Sequence, residues 1–308
     1  MNVSLELYRI FDAAARTRSF SEAARELYIS QSAVSQAVRQ LESAAGTRLF
    51  IRSGRGTELT AEGRLLSGYV SSALALIGQG ENRLQELREL SEGELRIGAG
   101  DTVARWFLLP AIQSFHEAYP NIVLKMTNRT STETLALLRA GRIDVGFVNL
   151  PLEAEGITFD SCMDIHDVFV AGEKFGRLRG RVLSPAELAS YPLIMLEKRS
   201  NSRSYVDKYF LSRGVALQPQ LELGAHHLLL DYAEIGLGIA CVIREFSAHA
   251  LGRGGMFELE QDEPVPGRAI GACWLDQLGL SPAARRFVEM VKNAYAPDGR
   301  KNQKYVDF

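Results

Sequence analysis

The sequence predicts an all-α N-terminal part followed by an α/β domain. Two observations predict this fold class: apolar residues recur at helical spacing through most of residues 1–90, and beyond Ser91 short strand-like runs alternate with helical segments. The chain has 308 residues, which is enough for two domains at the usual size of about 150 residues each. Each domain is then large enough to bury its own core.

Residues 1–60 have the pattern of short helices that need tertiary support. Ser19 and Ser30 precede the second and third of these helices, where a hydroxyl can cap the free backbone N–H groups. Only a three-residue turn, 28–30, separates the two helices. The apolar faces of the first two helices consist of Leu7, Phe11 and Ala14, then Ala23, Ala24 and Leu27.

The helix that begins at Gln31 has two faces. Its apolar residues are Val34, Val38 and Leu41, and its polar residues are Ser32, Ser35, Gln36 and Arg39. A short turn before such a helix, with small alanines in the preceding one, is typical of a helix-turn-helix that places its second helix in a DNA major groove. Gln36 can make a bidentate bond to adenine and Arg39 can reach a base or a phosphate. A merely solvated polar face is the alternative interpretation.

A positively charged hairpin is predicted after this helix. Residues 31–60 contain four arginines and two glutamates, in a chain whose net charge is −2. The strand-like run 49–51 is followed by a glycine-containing turn that carries Arg52 and Arg55. This hairpin suits the wing of a winged helix-turn-helix that contacts phosphates or a narrow minor groove.

The apolar pattern of residues 61–90 predicts one long helix. Apolar residues at alternating steps of four and three form a stripe that suggests pairing with the same helix of a second subunit. Packing of the stripe on its own domain is the alternative. The stripe consists of Leu66, Val70, Ala73, Ile77, Leu84 and Leu87.

Beyond Ser91 the pattern is α/β. The predicted strands are 94–98, 122–127, 144–148, 168–172, 193–196, 238–242 and 269–274. The predicted helices are 104–118, 132–140, 202–213, 226–235 and 282–294. Such alternation implies a sheet covered by helices.

Composition excludes several classes of protein. Hydrophobic residues make up 46% and charged residues 23% of the chain, which argues against a disordered, collagen-like or filamentous protein. The three cysteines lie far apart without a CxxC or Cys/His cluster, so neither a disulfide framework nor a zinc site is expected. No apolar run could span a membrane and no signal-peptide pattern is visible. These features favour the reducing cytoplasm.

Two turns in the α/β part suit a ligand cleft. Residues 98–102 and 129–132 each link a strand to a helix and present hydroxyls and backbone N–H groups at the helix start. Helix N-termini favour anions. Helix capping alone is the alternative explanation for any one of these hydroxyls, but two such ends in successive units favour a shared site.

No catalytic constellation supports an enzyme. Val103 stands where a dinucleotide-binding fingerprint requires glycine, and neither a phosphate-binding GxxxxGK[ST] loop nor a nucleophile elbow is present. The five histidines lack the spacing of metal ligands. No cofactor or metal is therefore expected.

The run FSEAARELYISQSAVSQAVRQLESAAGTRLFIRSGRGTELTAEGRLL, residues 20–66, closely resembles the DNA-binding domain of LysR-type transcriptional regulators. It carries the paired alanines, the SQ and VS start of the recognition helix, and the LE, RLF.R and LT.EG signatures in the family's order. Ser32 departs from the proline of many members. Chain length, the long helix and the α/β part extend the resemblance over nearly the whole chain.

The resemblance implies a winged helix-turn-helix, a linker helix, and an effector domain of two α/β subdomains similar to periplasmic binding proteins, with the effector between them. The segment 141–147 resembles the family's G-x-x-D entry to a strand and 236–240 its glycine motif, after which Val242-Ile243-Arg244 replaces a frequent proline. The implied effector residues are Thr102, Thr130, Ser131, Asn149, Lys198, Ser200, Asn201, Ser202 and His226. The expected domains are 1–60, 61–90 and 91–294 with a polar tail 295–308; subdomain I takes about 91–161 and 268–294, and subdomain II about 162–267.

The sequence thus favours a cytoplasmic regulator that binds double-stranded DNA through Gln31, Ser32, Ser35, Gln36, Arg39, Arg52 and Arg55. A small-molecule effector, with an anion favoured, and a second copy of the chain are the expected partners. The resemblance also implies dimers that pair into a tetramer, and RNA polymerase as a further partner. An α/β enzyme with an appended nucleic-acid-binding module is the alternative; a transport binding protein is excluded by the N-terminal domain.

Overall fold

A computed structural model describes residues 3–53, 56–86 and 93–295 of the chain. These residues form two compact units, the first comprising residues up to Asn82 together with Arg139–Arg142 and the second comprising the remainder. The first is mainly helical and the second mixes parallel and antiparallel sheet with helices. The predicted fold class is therefore confirmed.

The first unit is a helix-turn-helix followed by a hairpin and a long helix. Ser19 and Ser30 cap α2 and α3 as predicted, since their hydroxyls accept hydrogen bonds from the N–H groups of Glu22 and Ala33. Phe11, Val34 and Leu41 are fully buried between the helices. The elements are α1 (Leu5–Thr17), α2 (Phe20–Glu26), α3 (Gln31–Ala45), β1 (Phe50–Ser53), β2 (Gly56–Leu59) and α4 (Ala61–Glu86).

The hairpin β1–β2 is anchored to the helices by three of the sequence signatures. The carboxylate of Glu42 on α3 accepts hydrogen bonds from the backbone N–H groups of Leu49 (2.8 Å) and Phe50 (3.2 Å). The Thr60 hydroxyl accepts from the N–H of Gly63 (2.9 Å) at the start of α4. A Cβ on Gly63 would lie 2.1 Å from the Leu49 carbonyl oxygen, so only glycine allows α4 to start this close to the hairpin.

The long helix α4 forms as predicted, but part of its stripe packs on its own domain. Val70 is 6% exposed, and Leu66 packs beside it against the core of the first unit. The alternative interpretation of the stripe was therefore correct for these two residues, because the small helical core needs an apolar cover. Ala73 and Ile77 are exposed. Leu84 lies in α4 and Leu87 lies outside the described residues.

The second unit contains two five-stranded sheets. The first has the order β4-β3-β5-β14-β6 and the second β10-β9-β11-β7-β12, with β8 and β13 as a small separate pair. Its strands are β3 (Gly93–Ala99), β4 (Ile122–Asn128), β5 (Val145–Leu150), β6 (Ile157–Ile165), β7 (Asp167–Gly172), β8 (Val182–Leu183), β9 (Leu193–Leu196), β10 (Leu221–Leu223), β11 (Ile239–Ile243), β12 (Met256–Glu258), β13 (Glu260–Gln261) and β14 (Arg268–Leu275). Its helices are α5 (Asp101–Val103), α6 (Leu109–Ala118), α7 (Ser131–Arg139), α8 (Pro185–Ala189), α9 (Asn201–Ser212), α10 (His226–Glu234), α11 (Arg244–Gly252) and α12 (Pro282–Ala294), with a π-helical turn at Ala104–Leu108 and a 3-10 helix at Glu173–Leu178.

Two crossings of the chain connect the sheets. The first lies at His166, between β6 of the first sheet and β7 of the second, rather than at the expected boundary near 162. The chain returns at Arg268, where β14 begins. Each sheet and its helices thus form one subdomain: subdomain I around the first sheet and subdomain II around the second.

The segment 242–244, which replaces the family's frequent proline after the glycine motif, has regular secondary structure. Strand β11 continues to Ile243, and α11 begins directly at Arg244, whose backbone N–H donates to the His166 carbonyl oxygen (2.9 Å). Val242 and Ile243 are buried. Burial of these side chains and this backbone bond hold the segment without proline.

Candidate nucleic-acid interface and ligand cleft

The outer face of α3 is polar and open to solvent. A shallow groove runs along it, lined by Ser32, Gln36, Arg39, Gln40, Ser43 and Ala44. The predicted contacts Gln31, Ser32, Gln36 and Arg39 are all exposed. Gln40 and Ser43 were not predicted, although they continue the spacing of four and three residues from Gln36 that places side chains on one helix face.

Ser35 does not lie on this open face. It is only 8% exposed, and its hydroxyl accepts a hydrogen bond from Nη2 of Arg39 (3.1 Å), while Nε of Arg39 donates to the Ser35 carbonyl oxygen (3.3 Å). The prediction that Ser35 is on the exposed face is wrong, because its position is turned toward the core between Val34 and Val38. Its hydroxyl instead orients the guanidinium that DNA would meet.

The wing forms where the sequence predicts it. Strands β1 and β2 pair antiparallel, with Ser53 opposite Gly56, and Arg52 lies opposite Thr57 in this ladder. Arg55 lies outside the described residues.

A cleft of about 520 Å³ opens between the two subdomains of the second unit. Its lining follows the carboxyl ends of the parallel strands β3, β4, β9 and β10, the edge at which α/β sheets bind ligands. The volume suits a small molecule. Seven of the nine predicted effector residues line it, namely Thr102, Thr130, Ser131, Asn149, Ser200, Asn201 and Ser202.

Helix capping and the backbone already use several of the predicted hydroxyls. Thr130 and Glu133 form a reciprocal cap at the start of α7, in which the Thr130 hydroxyl and N–H both donate to the Glu133 carboxylate. The Ser131 hydroxyl accepts from the N–H of Asn149 (3.1 Å), and the Ser200 hydroxyl caps α9. The side chains of Thr102 and Asn201 have no hydrogen-bond partner among the described residues, so they are free for a ligand.

The cations in the cleft lining are two arginines and not Lys198, and the lining also carries the carboxylates of Asp101, Glu133 and Glu197. Lys198 is exposed outside the lining, whereas Arg199 and Arg129 line the cleft from opposite subdomains. The Thr130 hydrogen bonds hold the pKa of Glu133 below its ordinary value, and both arginines add to this lowering. Both guanidinium groups therefore act on the same carboxylate. Lys198 lies within the turn that the Ser200 N–H closes by donating to the Glu197 carbonyl oxygen (2.9 Å).

A buried ion pair joins the subdomains where the two crossings meet. The guanidinium of Arg268 on β14 bonds the Asp167 carboxylate on β7, and both side chains are at most 3% exposed. Nη1 also donates to the amide oxygen of Asn149 (2.7 Å) and Nη2 to the Ser202 hydroxyl (3.0 Å). Because Asn149 and Ser202 line the cleft, this cluster connects the cleft with the two crossings of the chain. No local pattern predicts this cluster, since its four members are distant in the chain.

His226 lies beneath the cleft and not in its lining. It is 2% exposed, and its Nε2 accepts a hydrogen bond from the N–H of Ile243 (3.1 Å). Burial lowers the pKa of His226 to about 4, and repulsion from His227 adds to this. Its imidazole is thus neutral and holds β11, so a role as an effector ligand is not supported.

The described ranges contain no cluster of three or more His, Cys, Asp or Glu side chains that could hold a metal ion. None of the helices in those ranges combines the length and apolar character needed to cross a bilayer.

Comparison with known proteins identifies both units. Residues 5–64 match the family model of the bacterial regulatory helix-turn-helix protein, lysR family, and residues 88–296 match the LysR substrate binding domain. The RuBisCO operon transcriptional regulator of Allochromatium vinosum is 31% identical over 293 residues, which cover 94% of this chain and 96% of that protein.

Two solved structures share the fold over nearly the full chain. ArgP from Mycobacterium tuberculosis superposes with a TM-score of 0.72 at 17% identity, covering 96% of this chain and 98% of its own. Full-length CbnR complexed with its target DNA gives a TM-score of 0.66 at 21% identity, covering 95% and 100%. The matched relatives are regulators, and none supports the enzyme alternative. The chain belongs to the LysR family and is a DNA-binding transcriptional regulator with an effector-binding domain.

Proposed function

We propose that the regulator reads its operator with the open face of α3, which enters the major groove, while the wing grips the backbone. The single observation that carries this assignment is the exposed polar groove from Ser32 to Ser43 on a helix whose opposite face is buried in the core of the first unit. Gln31, Ser32 and Gln36 meet base edges at the N-terminal half of the helix. Arg39 meets a base or an adjacent phosphate, and Arg52 and Arg55 meet phosphates.

Replacing Gln36 by alanine is expected to weaken operator binding by about 1 to 3 kcal/mol and to relax discrimination at one base pair, because one bidentate contact is lost. Footprinting and fluorescence anisotropy on the DNA upstream of the regulator's own gene, with every single-base variant of the protected site, measure both effects. Gln113→Ala removes an exposed glutamine of α6 as a control. An unchanged base preference in Gln36→Ala would exclude the assignment.

The dimer contact is proposed on the outer face of α4. Leu65 and Tyr69 are 67% and 71% exposed, and Leu76 and Ile77 are also exposed about two turns further on. Residues at this spacing form one stripe, which a second copy of α4 would cover. The proposed contact is thus rotated by about one residue from the predicted stripe at its start, where Val70 is buried and Leu66 is half-buried, and it keeps Ile77 of that stripe. Pairing of dimers into a tetramer, contact with RNA polymerase and a cytoplasmic location complete the proposal.

In sedimentation equilibrium at micromolar concentration, the assembly formed by the double variant Leu65→Lys/Tyr69→Lys is expected to have at most half the molecular mass of the wild-type assembly. Burial of a leucine contributes about 1.5 to 3 kcal/mol, so removing two apolar contacts per chain weakens association at least a hundredfold. Leu211→Lys, at a 65% exposed position on α9, is the control. A monomeric wild type, or a variant of unchanged mass, would refute the contact.

The effector is proposed to be a small anionic metabolite bound between the subdomains. Arg129 and Arg199 bring two positive charges to the cleft from opposite sides, beside the carboxylates of Asp101, Glu133 and Glu197, and Thr102 and Asn201 offer free polar groups. A ligand that bridges the two arginines favours one arrangement of the subdomains, and a coupling of about 1 to 3 kcal/mol suffices for 5- to 150-fold control of DNA affinity.

Arg199→Gln is expected to weaken effector binding about tenfold or more, because a charge-assisted hydrogen bond contributes about 1.5 to 3 kcal/mol. Lys198→Gln, which removes the neighbouring cation outside the lining, is the matched control and leaves binding unchanged. Calorimetry of the full chain with a panel of carboxylates and phosphate esters measures both variants and Thr102→Val. Equal losses in the two charge variants would show that the net charge of the surface, and not the cleft, binds the anion.

A further inference from the structure

Tyr28 occupies an unusual place in the turn between α2 and α3. Its backbone has φ of 54°, a left-handed conformation that an aromatic residue rarely adopts. The turn is a Schellman motif, since the N–H of Ile29 donates to the Ala24 carbonyl (3.0 Å) and that of Tyr28 to the Arg25 carbonyl (3.3 Å). Glycine is the preferred residue at the position of Tyr28 in this motif, because it has no Cβ to strain.

The Tyr28 side chain is too exposed to offset this strain by packing. Tyr28 is 96% exposed, the largest exposed fraction among the large apolar side chains of the described residues. Helix α3 ends in contrast on Gly46 with φ of 70°, the residue expected at such a position. A fully exposed aromatic ring on a strained backbone has no stabilising role within the folded chain.

The location of the turn indicates what the ring contacts. Gln31 and Ser32, three and four residues further on, are exposed at the start of α3, the part of a recognition helix that enters the major groove. The chain just before that point lies at the rim of the groove, where the sugar-phosphate backbone runs. Tyrosine hydroxyls are among the groups that contact DNA phosphates.

We propose that Tyr28 is a backbone-contacting residue of the DNA interface, with its ring against a deoxyribose and its hydroxyl on a phosphate. This inference rests on the proposed insertion of α3 into the major groove. The contact carries no sequence information and positions the helix on the duplex. Tyrosine is neutral, so the contact contributes affinity without the release of a counterion.

Tyr28→Gly tests the proposal, because it removes the ring and also the strain. Its thermal midpoint is expected to equal or exceed that of the wild type, while its affinity falls roughly three- to tenfold, the loss of about one hydrogen bond and its packing. The loss is the same on the fragment upstream of the regulator's own gene and on a duplex of unrelated sequence. The slope of log affinity against log salt stays unchanged. Tyr28→Phe, which keeps the ring, is expected to lose less DNA affinity than Tyr28→Gly.

Two reference variants separate this inference from the placement of α3. Arg39→Ala is expected to weaken binding and to lower the salt slope if it reaches a phosphate, or to relax base preference if it reaches a base. Ile235→Gln, at a 69% exposed apolar position next to α10, leaves DNA binding unchanged. If Arg39→Ala weakens binding and Tyr28→Gly does not, the tyrosine contact is refuted while the interface stands. If neither variant weakens binding, the placement of α3 fails and the inference fails with it.

Discussion

Replacing Arg268 by methionine is expected to lower the free energy of unfolding of the second unit by about 3 to 5 kcal/mol, because it leaves the Asp167 carboxylate buried without its guanidinium. Asn149 and Ser202 lose a donor at the same time. Both tryptophans, Trp106 and Trp274, belong to this unit. Urea unfolding followed by tryptophan fluorescence therefore measures the loss directly.

Two further variants test whether the loss of stability comes from the burial of the ion pair. The double variant Arg268→Met/Asp167→Leu recovers a large part of the loss, because it removes the second charge along with the first. Arg244→Met breaks the ion pair with Glu258, in which Arg244 is 48% exposed, and costs at most about 1 kcal/mol. Equal losses in Arg268→Met and Arg244→Met would show that burial does not strengthen the Arg268 pair.

Acidification is expected to destabilise the second unit through His226. The unfolded chain binds this proton with a pKa near 6.5 and the folded chain with a pKa of about 4, so the unfolded state takes up more protons between these values. The stabilisation by neutral His226 is complete above pH 6.5 and is lost as the pH falls toward 4. The total loss is about 3 kcal/mol, of which about 2 kcal/mol is lost by pH 5.

The contribution of His226 is isolated by substitution. His226→Gln keeps an acceptor for the Ile243 N–H and cannot titrate, so its stability relative to wild type is expected to improve as the pH falls from 7 to 5. His116→Gln, at an exposed histidine of α6, is the control. Urea unfolding at both pH values measures the difference. A constant difference between His226→Gln and wild type would refute the lowered pKa.

Local sequence patterns were sufficient for most secondary structure. All seven predicted strands form within two residues of their expected bounds, because buried strands are short apolar runs between turn residues. Strand β6 was missed because it carries polar residues and because the register with β14 shifts between Ile270 and Gly271, which breaks the alternation of its side chains. Helix α11 was missed because its apolar residues follow directly on a buried strand.

Local patterns also predicted some residues of the candidate sites and missed others. The recognition helix was predicted from the spacing of its own apolar and polar residues, since fifteen residues are enough to show a buried face and a polar face. Ser35 was misplaced because it lies at the border of the buried face, where one residue's rotation decides exposure. For the cleft, seven of the nine residues implied by the resemblance line it, whereas Lys198 lies outside the lining, Arg199 within it, and His226 is buried.

The sequence by itself determined the fold class, the capped helices, the recognition helix and the position of the wing, because all of these depend on residues close together in the chain. Only the tertiary structure decided which face of α4 stays open, which cation enters the cleft and where the subdomains are joined. Arg268 and Asp167 are 101 residues apart, and their pairing depends on two strands that meet only when both sheets have folded. Such contacts have no local period, so their physical basis becomes visible only when burial and distance are known.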